Sequence, residues 1–153
     1  MSRVQLALNV SDIDAAIDFY SKLFGAQPAK VRPGYANFAI AEPPLKLVLI
    51  EGTEGGTLNH LGVEVGDADA VTAAQRRLSG EGLATASEDD VACCYARQDK
   101  VWVDDPDGAP WEVYTVLGDV EMPAGELRTV EPDKPETDSL CCASAPESAS
   151  RCC

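Results

Sequence analysis

The chain has 153 residues, of which 45% are hydrophobic and 25% charged, as in one compact domain or two small fused modules. Its 26 acidic and 12 basic residues give a formal net charge of -14, which would repel a polyanion and argues against nucleic acid as a partner. No apolar run is as long as a membrane span and no secretory signal opens the sequence, so we expect a cytoplasmic protein without a membrane partner.

A strand followed by a helix is predicted at the N-terminus. Apolar and more polar residues alternate over 5–10, which predicts a strand with one buried face and with Gln5 on the other face. Ser11 and Asp12 are candidate N-caps and Gly25 is a helix stop. Between them, apolar residues recur at helical spacing, namely Ile13, Ala16, Ile17, Tyr20, Leu23 and Phe24. The helix is therefore expected to pack back on the strand.

Two further strands are predicted in the first half, over 36–41 and 45–51. Pro-Gly and Pro-Pro turn signals precede them. Alternation along the second of these strands places Lys46 on one face and its three leucines on the other.

A second copy of the strand and helix begins 55 residues after the first. In this copy His60, the only histidine, takes the place of Gln5. Residues 59–80 match residues 4–25 at seven positions, where average residue usage gives roughly one or two by chance. The matches are Leu6/Leu61, Val10/Val65, Asp12/Asp67, Asp14/Asp69, Ala15/Ala70, Leu23/Leu78 and Gly25/Gly80.

The second half also continues with strands, predicted over 94–103 and 111–117 on either side of a DDPDG turn. Its last strand, PWEVYTVLG, aligns with PLKLVLIEG of the first half and sets Glu112 over Lys46. We therefore predict an α+β fold in which two modules, about 3–52 and 58–118, form one domain over 1–118 and curl into a cup.

The remaining residues, 119–153, are rich in Pro, Ser, Ala, Glu and Asp and hold few large apolar side chains. Such a segment buries too little apolar surface to offset the entropy of ordering it. We predict a flexible acidic tail that carries two cysteine pairs, Cys141-Cys142 and Cys152-Cys153.

Four polar residues share the inner face of the predicted cup at repeat-related positions. Gln5, His60 and Glu112 offer an amide, an imidazole and a carboxylate, a three-ligand set for Fe(II), Mn(II), Ni(II) or Zn(II) with positions left open. Lys46 cannot bind a metal while protonated. The alternative is that these are ordinary structural or solvated strand residues.

Adjacent cysteines, Cys93 and Cys94, enter the first strand after the second helix. Trivalent arsenic and other soft thiophiles bind strongly to two thiolates. Because neighbouring side chains point apart on a regular strand, both sulfurs can hold one atom only in a loop or bulge. The alternatives are two small buried apolar residues or a redox disulfide.

The repeat, the candidate ligands and the segment DDPDGAPWEVY resemble the vicinal-oxygen-chelate (glyoxalase, bleomycin resistance, dioxygenase) superfamily from Arg3 to about Val116. The resemblance implies paired β-α-β-β-β modules in a curled, glyoxalase-like mixed sheet. It also implies metal ligands on the first and last strands of the modules. It does not by itself determine the reaction.

A narrower resemblance rests on RVQLALNVSD, NHLGVEV, CCYARQDKVWV and PWEVYTVLGD, which look like the cadmium-induced CadI proteins and the ArsI organoarsenical carbon-arsenic lyases. That family implies Fe(II)- and O2-dependent cleavage of methylarsonous acid or trivalent aromatic arsenicals to arsenite, and hence arsenical resistance. Carried over by position, Gln5, His60 and Glu112 would hold iron, or Ni, Co, Zn or Mn in its place. Cys93 and Cys94 would bind arsenic and serve catalysis.

Other functions stay open at this point. A non-catalytic cadmium- or arsenic-binding resistance protein would use the same thiols. In the enzyme, the tail cysteines would either relay substrate to Cys93 and Cys94 or belong to a dispensable end. A glyoxalase or extradiol-type dioxygenase is less favoured, because Lys46 stands where a fourth ligand is expected and the chain has one histidine. Both a monomer and a homodimer are compatible with two modules.

Overall fold

The computed structural model describes residues 2–93 and 95–121, so Cys94 and the predicted tail beyond residue 121 lie outside the described residues. Each half has the order strand, helix, three strands. The elements are β1 (Arg3–Val10), α1 (Ile13–Phe24), β2 (Lys30–Arg32), β3 (Tyr35–Ile40), β4 (Leu45–Glu51), β5 (Thr57–Glu64), α2 (Ala68–Gly80), β6 (Ala86–Cys93), β7 (Ala96–Asp104) and β8 (Pro110–Asp119).

One curled, mixed sheet contains all eight of these strands in the order β2-β3-β4-β1-β5-β8-β7-β6. The first strand of each module pairs in parallel with its last strand, β1 with β4 and β5 with β8. The two modules join through an antiparallel pairing of β1 with β5. The predicted α+β class, the paired β-α-β-β-β modules and the glyoxalase-like cup are confirmed.

Both helices begin and end as the sequence predicts. The side chain of Asp12 accepts a hydrogen bond from the backbone nitrogen of Ala15 at 2.9 Å. At the start of α2, the side chain of Asp67 accepts one from the backbone nitrogen of Ala70 at 2.8 Å. Gly25 ends α1 in the left-handed conformation with φ of 61°, where a glycine carries no side-chain penalty. Within the described residues, neither helix is long and apolar enough to cross a membrane.

The helices cover one face of the sheet and leave the other face to line a cavity. Leu47 and Leu49 are fully buried beneath α1. Val71 and Leu78 of α2 pack on Val101 in the second module. The opposite face of the first module holds a small separate cluster, formed by Ala7, Tyr35, Val48, Ile50 and Tyr95.

Two strands were not predicted individually, and both lie at the edges of the sheet. β2 has only three residues, and the sequence of β6, ASEDDVAC, lacks a regular alternation of apolar and polar residues. The predicted strand over 94–103 in fact begins at Ala96, and Tyr95 has a φ of 63°. Cys93 therefore ends one strand at a turn instead of entering the next.

Candidate metal centre

The central strands place two of the candidate ligands on either side of a glycine. Gln5 on β1 pairs with Gly62 on β5, which pairs with Glu112 on β8. A Cβ atom at Gly62 would lie 3.1 Å from Cγ of Glu112 and 3.3 Å from Cβ of Gln5. The missing side chain at Gly62 thus leaves the space in which Gln5 and Glu112 meet.

The three predicted ligand side chains converge on one point. Gln5 Nε2 donates to Glu112 Oε1 at 2.7 Å and lies 3.0 Å from His60 Nε2. His60 Nε2 and Glu112 Oε1 are 3.4 Å apart. Only 4%, 8% and 2% of Gln5, His60 and Glu112 are exposed. Three distant segments therefore bring one imidazole, one carboxylate and one amide together at the base of the cup.

A β-bulge orients the imidazole of His60. Ala7 pairs with His60 but Leu8 pairs with Leu58, so Asn59 is an extra residue in β5. His60 Nδ1 lies 2.7 Å from Asn59 Oδ1, and Asn59 Nδ2 donates to Asn9 Oδ1 at 2.8 Å. Since Asn59 Oδ1 can only accept, Nδ1 carries the proton and the lone pair of Nε2 faces Gln5 and Glu112.

Glu112 is held as a buried carboxylate by Lys100 on the neighbouring strand β7. Lys100 Nζ donates to Glu112 Oε2 at 2.9 Å, and both side chains are almost completely buried. Burial raises the pKa of Glu112, whereas the charge and the hydrogen bond of Lys100 lower it. The carboxylate is therefore ionised at neutral pH and available as a charged ligand.

A second set of polar groups surrounds the Gln5 amide. The Tyr114 hydroxyl lies 2.6 Å from Gln5 Oε1 and 3.0 Å from Glu64 Oε2. Glu64 also accepts from Arg3 at 3.1 Å and lies 3.5 Å from Lys46 Nζ. Burial raises the pKa of Glu64, but Lys46 and Arg3 outweigh it and lower the pKa below its usual value. Burial also raises the pKa of Tyr114 and lowers that of Lys46.

The chemistry of these donors fits a divalent cation. The Gln5 N–H group lies between two acceptors, His60 Nε2 and Glu112 Oε1, at a position where a cation would meet the same two atoms. Among the described residues no group of three His, Cys, Asp or Glu side chains could hold a metal, so a three-ligand site here would need the Gln5 amide.

The predicted alignment of Glu112 with Lys46 is wrong, because Val48 pairs with Ala7 in the way that Glu112 pairs with Gly62. The apolar Val48 therefore occupies the equivalent position in the first module.

Cys93 lines the same cavity as the three candidate ligands. The cavity has a volume of about 210 Å³, and Cys93 is 9% exposed. Its backbone oxygen accepts from Gln98 Nε2 at 3.4 Å. Cys94 lies outside the described residues, so the structure brings one of the two predicted thiols into the cup.

Four residues of the site escaped the sequence analysis. Tyr114 is two positions after Glu112, and Glu64 is four positions after His60. Strand alternation therefore places both on the cavity face, so the sequence contained a signal for them. Lys100 offered no such signal, because only the pairing of β7 with β8 brings it to Glu112. Asn59 reaches His60 only through the bulge, which nothing in the sequence indicates.

Comparison of sequences shows close relatives over most of the chain. The chain is 62% identical over 144 residues to the "Trivalent organoarsenical cleaving enzyme" of Thermomonospora curvata, covering 93% of this chain and 89% of that protein. It is 60% identical to the "Cadmium-induced protein CadI" of Mycobacterium tuberculosis, covering 93% of each chain. A trivalent organoarsenical cleaving enzyme of Bacillus sp. is 38% identical over 160 residues, 100% of this chain and 99% of that protein.

Solved structures show the same fold at lower sequence identity. The Mn(II)-bound glyoxalase from Novosphingobium aromaticivorans matches with a TM-score of 0.58 and 22% identity, covering 82% of this chain and 44% of that chain. An extradiol ring-cleaving dioxygenase from B. fuscum matches with a TM-score of 0.57 and 22% identity, covering 78% and 34%. The model of the Glyoxalase/Bleomycin resistance protein/Dioxygenase superfamily matches residues 3–113, and the chain belongs to that superfamily.

Proposed function

We propose that this protein is an enzyme that cleaves the carbon-arsenic bond of trivalent organoarsenicals and releases arsenite. Methylarsonous acid and trivalent aromatic arsenicals are the proposed substrates, with Fe(II) as metal and O2 as co-substrate. Its 62% identity to a protein named for trivalent organoarsenical cleavage supports this choice within a superfamily of varied chemistry.

Gln5, His60 and Glu112 would hold the metal, through the amide oxygen, Nε2 and a carboxylate oxygen. Ferrous iron, when bound, supplies a redox-active centre for the activation of dioxygen. The Asn59 contact keeps His60 Nε2 unprotonated, and Lys100 keeps Glu112 charged, so both side chains are prepared for a cation. Because Val48, the first module's equivalent of Glu112, has no ligand atom, one side of the metal would remain open to small molecules.

Cys93 and Cys94 would bind the arsenic. The two thiols replace the two hydroxyl groups of methylarsonous acid: two As–S bonds form, two As–O bonds break, and each thiol proton leaves with a hydroxyl group as water. The carbon substituent on the third valence of arsenic can then face the metal across the cavity. The thiols would thus supply proximity and orientation, which are large contributions to catalysis. This requires reduced cysteines, in agreement with the predicted cytoplasmic location.

The observation that carries the proposal is that Cys93 and the three converging side chains line one cavity. An arsenic atom bound to Cys93 would share this cavity of about 210 Å³ with the metal.

Arsenite release from methylarsonous acid tests this function. The full chain, loaded anaerobically with Fe(II), is expected to release arsenite after admission of O2. It should release none when Fe(II) is omitted, and none when O2 is omitted. His60→Ala should abolish release, as should Cys93→Ser and Cys94→Ser. The matched control is the Cys141→Ser, Cys142→Ser pair in the tail, which should retain turnover. Full demethylation by Cys93→Ser and Cys94→Ser would refute the arsenic-binding role.

Sequestration without turnover is the second candidate, because the chain is 60% identical to a cadmium-induced protein. The same assay separates the two functions. A sequestering protein would bind methylarsonous acid or cadmium stoichiometrically through Cys93 and Cys94 and would yield no arsenite under air with Fe(II).

A further inference from the structure

The two ends of the Gln5 amide lie in different surroundings. Its nitrogen faces the acceptors His60 Nε2 and Glu112 Oε1 at 3.0 and 2.7 Å. Its oxygen faces the Tyr114 hydroxyl at 2.6 Å. The side chain is 4% exposed, so water cannot substitute freely for either set of partners.

A cation between His60 and Glu112 requires the opposite orientation of this amide. The N–H hydrogens of Nε2 carry partial positive charge, whereas Oε1 has two lone pairs that can bind a metal. Rotation about the last side-chain bond exchanges the two atoms with little displacement. In that orientation Nε2 becomes the neighbour of the Tyr114 hydroxyl, which must then accept a hydrogen bond.

The Tyr114 hydroxyl has the partners needed for both orientations. Its single hydrogen can go to Gln5 Oε1 at 2.6 Å or to Glu64 Oε2 at 3.0 Å. Glu64 is a dependable acceptor, because its carboxylate is paired with Arg3 at 3.0 Å and faces Lys46 at 3.5 Å. When Tyr114 donates to Glu64, its oxygen lone pairs are free to accept from Gln5 Nε2.

We propose that Tyr114, supported by Glu64, is a positioning residue that holds the Gln5 amide with its oxygen toward the metal. When the metal binds, the Tyr114 hydroxyl would turn its hydrogen from Gln5 Oε1 to Glu64. The end of the Gln5 amide that faces Tyr114 therefore has a hydrogen-bond partner with and without the metal. This inference rests on the proposed metal site and adds a reason why a neutral, reversible amide can serve there as a ligand.

A double-mutant cycle with Gln5→Glu tests the proposal. Tyr114→Phe keeps the ring over which Lys46 lies, 4.9 Å from its centroid, and removes only the hydroxyl. Mn(II) is the probe, because it prefers oxygen and nitrogen ligands over thiolates, and free Mn(II) is measured by electron paramagnetic resonance. Tyr114→Phe should weaken Mn(II) binding about ten-fold, as for other hydrogen-bond partners of metal ligands.

In the Gln5→Glu background, Tyr114→Phe should weaken Mn(II) binding by no more than about two-fold, the limit expected for residues that do not interact. Either oxygen of a carboxylate can face the metal, so no orientation has to be selected. Glu64→Gln, which weakens the acceptor for the Tyr114 hydroxyl, should reduce Mn(II) affinity relative to the unsubstituted protein, by less than about ten-fold. It provides a second test if Tyr114→Phe does not fold, because unchanged affinity in Glu64→Gln would contradict the supporting role of Glu64.

Unchanged Mn(II) affinity in Tyr114→Phe, or an equal loss in both backgrounds, would overturn the role of Tyr114. Absence of Mn(II) binding by the unsubstituted protein would instead refute the metal site itself and the inference with it. Neither result depends on arsenical turnover, so failure of the proposed reaction is distinguishable from failure of the positioning role.

Discussion

The two modules share one backbone plan but differ in what they present to the cavity. In the first module the charged residues that line the cavity are cations, namely Arg3, Lys30 and Lys46. Beside them lies a small buried cluster that includes Tyr35 and Val48. In the second module the cavity lining includes the carboxylates Glu64, Glu112 and Asp119. Glu112 forms a buried ion pair with Lys100. The second module therefore supplies all the carboxylates among the described residues that line the cavity.

This difference explains why the candidate site is one-sided. His60 and Glu112 come from the second module, while Gln5 is the single donor from the first, where the apolar Val48 occupies the position equivalent to Glu112. A repeat that retained ligands at all four equivalent positions would close around its metal. Divergence of one module leaves room for substrate on its side.

Removal of the ligands should show unequal contributions from the two modules. His60→Ala should weaken Mn(II) binding more than about 1,000-fold, roughly 4 kcal/mol, whereas Gln5→Ala should cost about 30-fold, roughly 2 kcal/mol. An imidazole is a strong ligand, and an amide oxygen is a weak neutral one. Titration followed by electron paramagnetic resonance measures both. Equal losses would contradict the asymmetry.

Replacement of the two buried lysines should affect stability differently. Lys100→Met should destabilise the metal-free protein by about 3–5 kcal/mol, because it leaves the Glu112 carboxylate buried without its cation. Lys46→Met should cost at most about 1 kcal/mol, because Glu64 retains Arg3 and Tyr114. Urea unfolding after chelator treatment provides the comparison. A larger loss in Lys46→Met would assign the critical ion pair to the first module.

A methyl group at Gly62 makes the second module resemble the first, which has Ala7 at the equivalent position. Gly62→Ala should destabilise the protein by about 1–3 kcal/mol, because the new Cβ would lie 3.1 Å from Glu112. Gly66→Ala is the control, since no atom lies within 4 Å of a Cβ there. Thermal unfolding measures both, and similar shifts for the two variants would argue against crowding at Gly62.

Asn59 and Asn37 should differ in their effect on metal affinity. Asn59→Ala removes the acceptor for His60 Nδ1 and should weaken Mn(II) binding about ten-fold. Asn37→Ala, in the first module, removes a contact with the Tyr35 hydroxyl and should leave affinity unchanged. If Asn37→Ala weakened Mn(II) binding more than Asn59→Ala, the orientation of His60 by the bulge would be contradicted.

Truncation should have the smallest effect. The domain was predicted to end at residue 118, but β8 continues to Asp119, whose carboxylate pairs with Lys30, and Val120 N donates to Tyr95 O at 3.2 Å. A chain ending at Glu121 preserves these contacts and should retain turnover at saturating methylarsonous acid. A large loss of turnover would assign the tail cysteines a role in delivering substrate.

Several elements followed directly from local sequence patterns. Helix caps at Asp12 and Asp67 and the glycine at the end of α1 depend on residues within one turn, so the sequence is sufficient to predict them. The 55-residue repeat is sufficient to predict that His60 takes the position of Gln5. The edge strands β2 and β6 are not predicted, because β2 has only three residues and β6 lacks a regular alternation of apolar and polar residues.

Because side chains alternate with a period of two, the order of residues along each strand is enough to predict that the candidate ligands share one face. The distances between those ligands depend on the folded sheet. The registers of β1, β5 and β8, the space left at Gly62 and the bulge at Asn59 depend on pairings between residues far apart in the chain. No local pattern encodes such distances, because a shift of one residue in register would move every side chain to the opposite face.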